Sequence, residues 1–242
     1  MAAGGPAEIG RRTRIFALES FKLKQGTQLA RLHDFFRDAM LPGLGRIHSG
    51  PKIVLEAVVA PHVPQVLAIY GFASIEEMWG VHGKVMADAE WGKKFQAWES
   101  GPEPAFESLD SSLLEAAEYS PEIAATAGDK PPRIFELRVY RSPTYRQHLG
   151  VHERFGGPEI KIFHRVGIHP VLYASTLIGQ NIPNLTYLIP FDDLAAREKA
   201  WAAFGADPEW QKVRQESVTK YNQPVSVSQV SLFKATPYSP VR

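Results

Sequence analysis

The chain of 242 residues contains no cysteine. Disulfides, thiolate nucleophiles and Cys-ligated metal centres are therefore excluded. An excess of either charge is also lacking: 27 Lys and Arg against 26 Asp and Glu leave a formal charge of +1. A nucleic-acid binder carries a basic excess or stripe, so no nucleic-acid partner is expected. No apolar run approaches the roughly 18 residues of a membrane span. The opening Met-Ala-Ala-Gly-Gly-Pro lacks the basic-then-apolar order of a signal peptide, and a cytoplasmic location is expected. A phosphate-binding glycine loop and a G-x-S-x-G elbow are missing too, as is a His and acid spacing that would form a metal set.

What is present begins with an ordinary globular balance, 44% apolar and 22% charged, enough for a core without staples. The most informative feature is an internal repeat. Arg14-Ile15-Phe16 recurs as Arg133-Ile134-Phe135, a shift of 119 (133 − 14). The same shift carries His33 to His152, Arg46 to Arg165, Pro64 to Pro183, Glu90-Trp91 to Glu209-Trp210 and Tyr119-Ser120-Pro121 to Tyr238-Ser239-Pro240. No gap is needed, so the halves are read as a duplication. The stretch before Pro131-Pro132 is rich in small residues and holds a glycine, which marks a linker. The expected division is a flexible N-terminus at 1–13, a first unit at 14–121, a linker at 122–132 and a second unit at 133–242.

Each unit shows one order of elements. Ile134 to Tyr140 alternates, with Phe135, Leu137 and Val139 on one face and Glu136 and Arg138 on the other, the period of a half-buried strand. A helical stretch follows at 26–47 and 144–166, with an apolar stripe of Leu29, Leu32, Phe36, Met40 and Leu44. Two β-rich runs come next, then a second helical stretch at 74–99 and 192–220. Asp207 suits the N-cap and Pro208 the first helical position of its restart. A final alternating run at 109–117 and 226–235 closes each unit. The order β-α-β-β-α-β is that of a ferredoxin-like unit. The fold class expected is α+β, two tandem ferredoxin-like units packing sheet on sheet into one pseudo-symmetric α/β barrel.

The second half resembles the NIPSNAP family at Arg133 to Arg138 with Tyr140, Asn184 to Leu188, Asp193 to Lys199 with Trp201 to Phe204, and Asp207-Pro208-Glu209-Trp210. The first half is similar only at Phe16, Leu18, Phe72 and Glu90-Trp91. The resemblance implies a dimeric α/β-barrel fold, whose wider superfamily includes cofactor-free monooxygenases, haem-handling enzymes and small isomerases. It brings no agreed catalytic motif. Haem is implied as a cofactor by that analogy alone.

Among residues that can carry chemistry, His33 and His152 come first, on or beside the apolar stripe of the first helix. Each reads either as a proton-transferring or iron-binding group or as a core histidine tying helix to sheet. Glu136, Arg138 and Tyr140 share a strand face. If that face lines the barrel interior, Glu19, at the position equivalent to Arg138, could pair with it across the units. Tyr173 and Tyr187 on neighbouring strands add polar tips. Arg46 and Arg165 read as cations at helix C-termini, and His148 as a weak metal partner for His152. Three functions compete. The first is binding of a small hydrophobic or aromatic molecule between sheet and helices, more readily in the second unit. The second is an oxygenase-like or isomerase-like enzyme. The third is an interaction module, and a homo-oligomer is compatible with each.

Overall fold

The computed structural model describes residues 12–126 and 131–242. Residues 1–11 of the expected N-terminal segment and 127–130 of the expected linker lie outside the described residues. Thr13 is buried, and its amide donates to the Glu122 carboxylate at 3.1 Å.

Alternating apolar residues form strand β1 (Ile15–Lys22), and the helical stripe follows as α1 (Gln28–Phe35), a π-helical turn (Phe36–Met40) and α2 (Leu41–Ile47). Strands β2 (Lys52–Val59) and β3 (Gln65–Phe72) precede helices α3 (Ile75–Ala87) and α4 (Ala89–Glu99), and β4 (Ser108–Ala116) ends the first half. The second half repeats the order: β5 (Ile134–Arg141), α5 (Tyr145–Arg154), a π-helical turn (Phe155–Glu159), α6 (Ile160–Arg165), β6 (Leu172–Ile178), β7 (Asn184–Phe191), α7 (Leu194–Ala206), α8 (Pro208–Tyr221) and β8 (Val227–Ala235).

The eight strands close into an antiparallel barrel in the order β1-β3-β2-β8-β5-β7-β6-β4. The seams between halves are β2 with β8 and β4 with β6, and they repeat one register: Leu55 faces Ala235 as Ala174 faces Ala116. Closure leaves no free sheet edge, the feature that otherwise invites strand addition.

Three apolar layers result. The barrel interior is filled by Phe16, Ile53, Leu67, Leu114, Phe135, Leu172, Leu188 and Phe233. Outside it, α1 to α4 cover Phe21, Val54, Val66 and Tyr70, and α5 to α8 cover Tyr173, Leu185, Tyr187 and Ile189. Strand alternation then decides a sequence expectation. Phe135 points into the barrel, so Glu136, Arg138 and Tyr140 point outward beneath the helices. Glu19 likewise lies under its own helices, opposite in sense to Phe16. The two faces are on opposite sides of the molecule, and the cross-unit pairing of Glu19 with Arg138 does not occur. Arg138 pairs instead with Glu136.

The helix restart is built as its residues suggest. Asp207 Oδ1 accepts from the amides of Glu209 and Trp210 at 2.9 and 3.0 Å. Its other oxygen takes Arg165 at 2.7 Å, as Asp88 takes Arg46 at 2.6 Å. Arg46 and Arg165 are thus clamps between helices rather than free cations on a dipole.

Candidate functional site

The tails that follow β4 and β8 cross to the opposite half. Ala117 N donates to Tyr173 O at 2.9 Å and Tyr173 N to Ser120 Oγ at 3.0 Å. The other tail repeats this, with Thr236 N to Val54 O at 3.1 Å and Val54 N to Ser239 Oγ at 3.0 Å. Each crossing carries a tyrosine onto the other half's histidine. Tyr119 OH lies 2.8 Å from His152 Nδ1, and Tyr238 OH lies 2.6 Å from His33 Nδ1.

The two histidine sites have the same frame and different contents. His152 Nε2 lies 2.8 Å from Ser175 Oγ and 3.1 Å from His148 Nε2. His33 Nε2 lies 3.0 Å from Glu56 Oε2. Glu56 stands where the second copy has Ser175, and Leu29 where it has His148. His152 is half-buried, and with Ser175, Arg12, Arg14 and Glu115 it lines an open cleft of about 630 Å³. Burial pushes the His148 imidazole down to about 4, with His152 adding to the effect, and burial lowers His152 also. Both rings are therefore neutral at pH 7.

Behind Tyr119, under the helices of the second half, lies a buried polar group. Glu136 is fully buried and takes Arg138, Arg197 and the indole N–H of Trp201 at 3.2 Å. The Arg138 guanidinium sits 3.6 Å from the Trp201 ring centre and donates to Tyr140 OH at 3.2 Å. Arg154 and Glu159, both buried, pair at 2.6 Å at the two ends of the π-helical turn. Burial raises the Glu159 carboxyl, outweighing the guanidinium beside it. Tyr173 and Tyr187 are 1% and 0% exposed; the Tyr173 hydroxyl has no hydrogen-bond partner among the described residues, and the Tyr187 hydroxyl faces that of Tyr140. An unmade hydrogen bond on a buried hydroxyl costs about 1–3 kcal/mol. Tyr119 joins the two regions, with its ring 5.4 Å from that of Tyr173.

In the first half the positions of Glu136, Tyr140, Arg154, Glu159, Tyr173 and Tyr187 are held by Ala17, Phe21, Phe35, Met40, Val54 and Ala68. Polar groups remain there in Glu19, in Gln28 and in the partnerless Tyr70 hydroxyl and Trp91 and Trp98 indole N–H groups.

Residues 135–240 match the NIPSNAP family model. The second half of the chain is a NIPSNAP domain. No curated protein matches the chain in sequence. Solved structures are similar along nearly all of it, among them the following three. An anthrone oxidase-like protein is 13% identical, with a TM-score of 0.57 over 93% of this chain and 92% of that one. A candidate monooxygenase from Fusobacterium nucleatum is 10% identical, with 0.61 over 93% of each. Another from Lactobacillus acidophilus is 10% identical, with 0.55 over 93% and 97%. At such identities the likeness speaks to the barrel fold.

Of the residues singled out from sequence, the NIPSNAP domain brings together His152, Glu136, Arg138, Tyr140, Tyr173 and Tyr187, while His33 and Glu19 stay in the first half. The residues do not fit haem. An axial histidine needs a free ring nitrogen, and both nitrogens of His152 and of His33 are engaged by side chains. His148 Nδ1 has no partner among the described residues but is sealed from solvent. Among those residues no cluster of three His, Asp or Glu could hold a metal ion, and no helix is long and apolar enough to cross a membrane. Sequence reasoning missed Tyr119, Ser175, Arg154 and Glu159. The signal for Tyr119 was present, since Tyr-Ser-Pro recurs at the shift that carries His33 to His152.

Proposed function

We propose that the protein binds a small aromatic molecule in its NIPSNAP domain, in the region running from the His152 cleft to the tyrosines beneath the helices. One observation carries this reading. The second half buries the Glu136 carboxylate, the Arg154–Glu159 pair and the Tyr173 and Tyr187 phenols at positions where the first half, on the same backbone frame, carries Ala17, Phe35, Met40, Val54 and Ala68. A barrel layer folds without them, and a guest with acceptor atoms would meet the Tyr173 hydroxyl. We take the halves as tandem ferredoxin-like units, the first mainly structural, working in the cytoplasm. Closure of the barrel within one chain means that any homo-oligomer would form through outer faces.

A second reading, an oxygenase-like or isomerase-like enzyme, is favoured by the state of His152. A neutral imidazole held by Tyr119 at one nitrogen, with Ser175 and His148 on the other, can take up a proton from a weakly acidic O–H or C–H at the cleft once Ser175 turns away. The names of the similar structures accord with this. Ser175 and His148 would share the proton within a connected set of 2.8 and 3.1 Å contacts.

Native mass spectrometry of the protein from its own source, followed by release and identification of any guest, tests the reading. A phenol, quinone or aromatic acid lost from Arg138→Ala supports it. A bare mass, with no thermal stabilisation by a panel of such compounds, refutes it.

A further inference from the structure

The barrel interior offers a second site, independent of the region under the helices. One end of the barrel is stoppered: Val241 is 2% exposed and packs with Phe16, Ile53 and Phe233, joined by Ile123. The other end opens into a cavity of about 570 Å³, within the range of small-ligand sites and in a usual place for them, the mouth of a β-barrel.

The lining is ordered by depth. Leu18, Leu67, Leu114, Leu137 and Phe233 form an apolar floor. Leu18 and Leu137 are related by the shift of 119 and are only partly buried, so apolar surface faces the cavity from both halves. Above the floor the walls are neutral and polar. Part of this polarity is spent on building the wall. Asn184 Oδ1 accepts from Thr176 and Thr186 at 2.9 and 3.0 Å, and its amide donates to Asn181 O at 3.0 Å and Gln180 O at 3.2 Å. Gln65 donates to Ser20 Oγ at 2.6 Å. The turn at the rim is fixed by Gly179, at φ +151°, where an added Cβ would lie 2.6 Å from Ser112 Oγ.

The rest of the polarity is unspent. The hydroxyls of Ser112 and Ser231, again related by the shift, have no hydrogen-bond partner among the described residues, and neither has the Gln229 amide nor the Gln65 carbonyl oxygen. These groups supply both donors and acceptors and no net charge. The ionic pair at the rim, Lys22 with Asp110 at 2.6 Å, satisfies itself. A charged guest would find no counter-ion there, and a purely apolar one would strand the hydroxyls and amides. A ring with hydroxyls around its edge and an apolar face satisfies both walls and floor.

We propose that the barrel mouth binds a neutral polyhydroxylated ring, of the size and chemistry of a monosaccharide. The cavity is formed by strands of both halves and exists only in the closed barrel. The site shares no lining residue with the His152 cleft, so it stands whether or not the reading of that cleft does.

Amide-resolved NMR titration of the full chain with methyl β-glucoside and with N-acetylglucosamine tests this. The expected result is saturable shifts at Ser112, Ser231, Gln65 and Gly179 with at least one of the sugars, and unmoved resonances at Ser175 and His152. Ser231→Phe fills the mouth from the partly buried wall and should weaken binding tenfold or more. Ser112→Ala is the gentler companion, expected to weaken it about threefold while unfolding at the wild-type temperature. Non-saturating shifts with both sugars up to 100-fold excess at about 1 mM protein would overturn the proposal. So would shifts centred outside the barrel mouth, tighter binding of sulfate or benzoate there, or full sugar affinity in a folded Ser231→Phe protein.

Discussion

The neutral state of His148 makes a prediction about stability. The imidazole sits at about 4 in the folded protein against an ordinary 6.5. Between these values the unfolded chain binds a proton that the folded one does not, so stability is complete above pH 6.5 and falls as pH drops toward 4. The full displacement corresponds to about 3 kcal/mol. About 2 kcal/mol of it is lost between pH 7.5 and pH 5. The first half shows the control, since Leu29 occupies the equivalent position. His148→Leu removes the titrating group, keeps a residue that the frame accepts, and should flatten the pH dependence by that amount. Urea unfolding at pH 7.5, 6 and 5 measures it, with carboxylate effects cancelling in the difference between the two proteins. Parallel pH profiles for wild type and variant would refute the reasoning.

Other perturbations separate site from scaffold. Tyr119→Phe removes the bond to His152 Nδ1 and should cost about 1 kcal/mol, with a change in the His152 ring-nitrogen shifts seen by NMR. Asp207→Ala loses an N-cap and should cost about 1–2 kcal/mol. Arg165→Ala, an exposed partner of the same carboxylate, should cost less than that, and denaturant midpoints compare the two. Glu136→Ala installs the residue of the first half but strands Arg138 and Arg197, at a cost of about 3–5 kcal/mol. The double variant Glu136→Ala with Arg138→Met should recover most of that in the same assay.

Element order was legible because each element carries its own period and its own stop. The alternation of Ile134 to Tyr140 and the Asp207-Pro208 restart are each written within a few residues, and local rules read them. The duplication was legible too, since a constant shift needs only the sequence. Closure was harder. Alternation separates Phe135 from Glu136 but does not say which face turns inward, and the polar face proved to lie beneath the helices rather than inside the barrel. The site was legible in its residue types and hidden in its partnerships. His152 could be picked as a helix-face histidine, yet its fixing residue, Tyr119, comes from the tail of the other half. Arg154 and Glu159 carry no sequence signal of their own. The π-helical turn between them turns both inward, and no propensity rule anticipates that.

The first half offers one more test, because its helix-covered layer is not wholly apolar. Glu19 occupies the position of Arg138, and burial raises its carboxyl to about 7 from an ordinary 4.5. No basic group pairs with it among the described residues; the polar group it faces is the buried Tyr70 hydroxyl, itself without a hydrogen-bond partner there. Below pH 4.5 the carboxyl is protonated in folded and unfolded chains alike. Between 4.5 and 7 only the unfolded chain ionises, so stability falls as pH rises and levels off above 7. The displacement corresponds to about 3 kcal/mol, and partial exposure of the side chain reduces this to about 1–2 kcal/mol. Glu19→Gln keeps the shape of the neutral acid without its proton. It should match wild type at pH 4 and be more stable by that amount at pH 8, measured by urea unfolding. Equal stability at pH 8 would mean that the carboxylate is solvated when ionised, and the view of the first layer as a packed, structural one would then fail at Glu19.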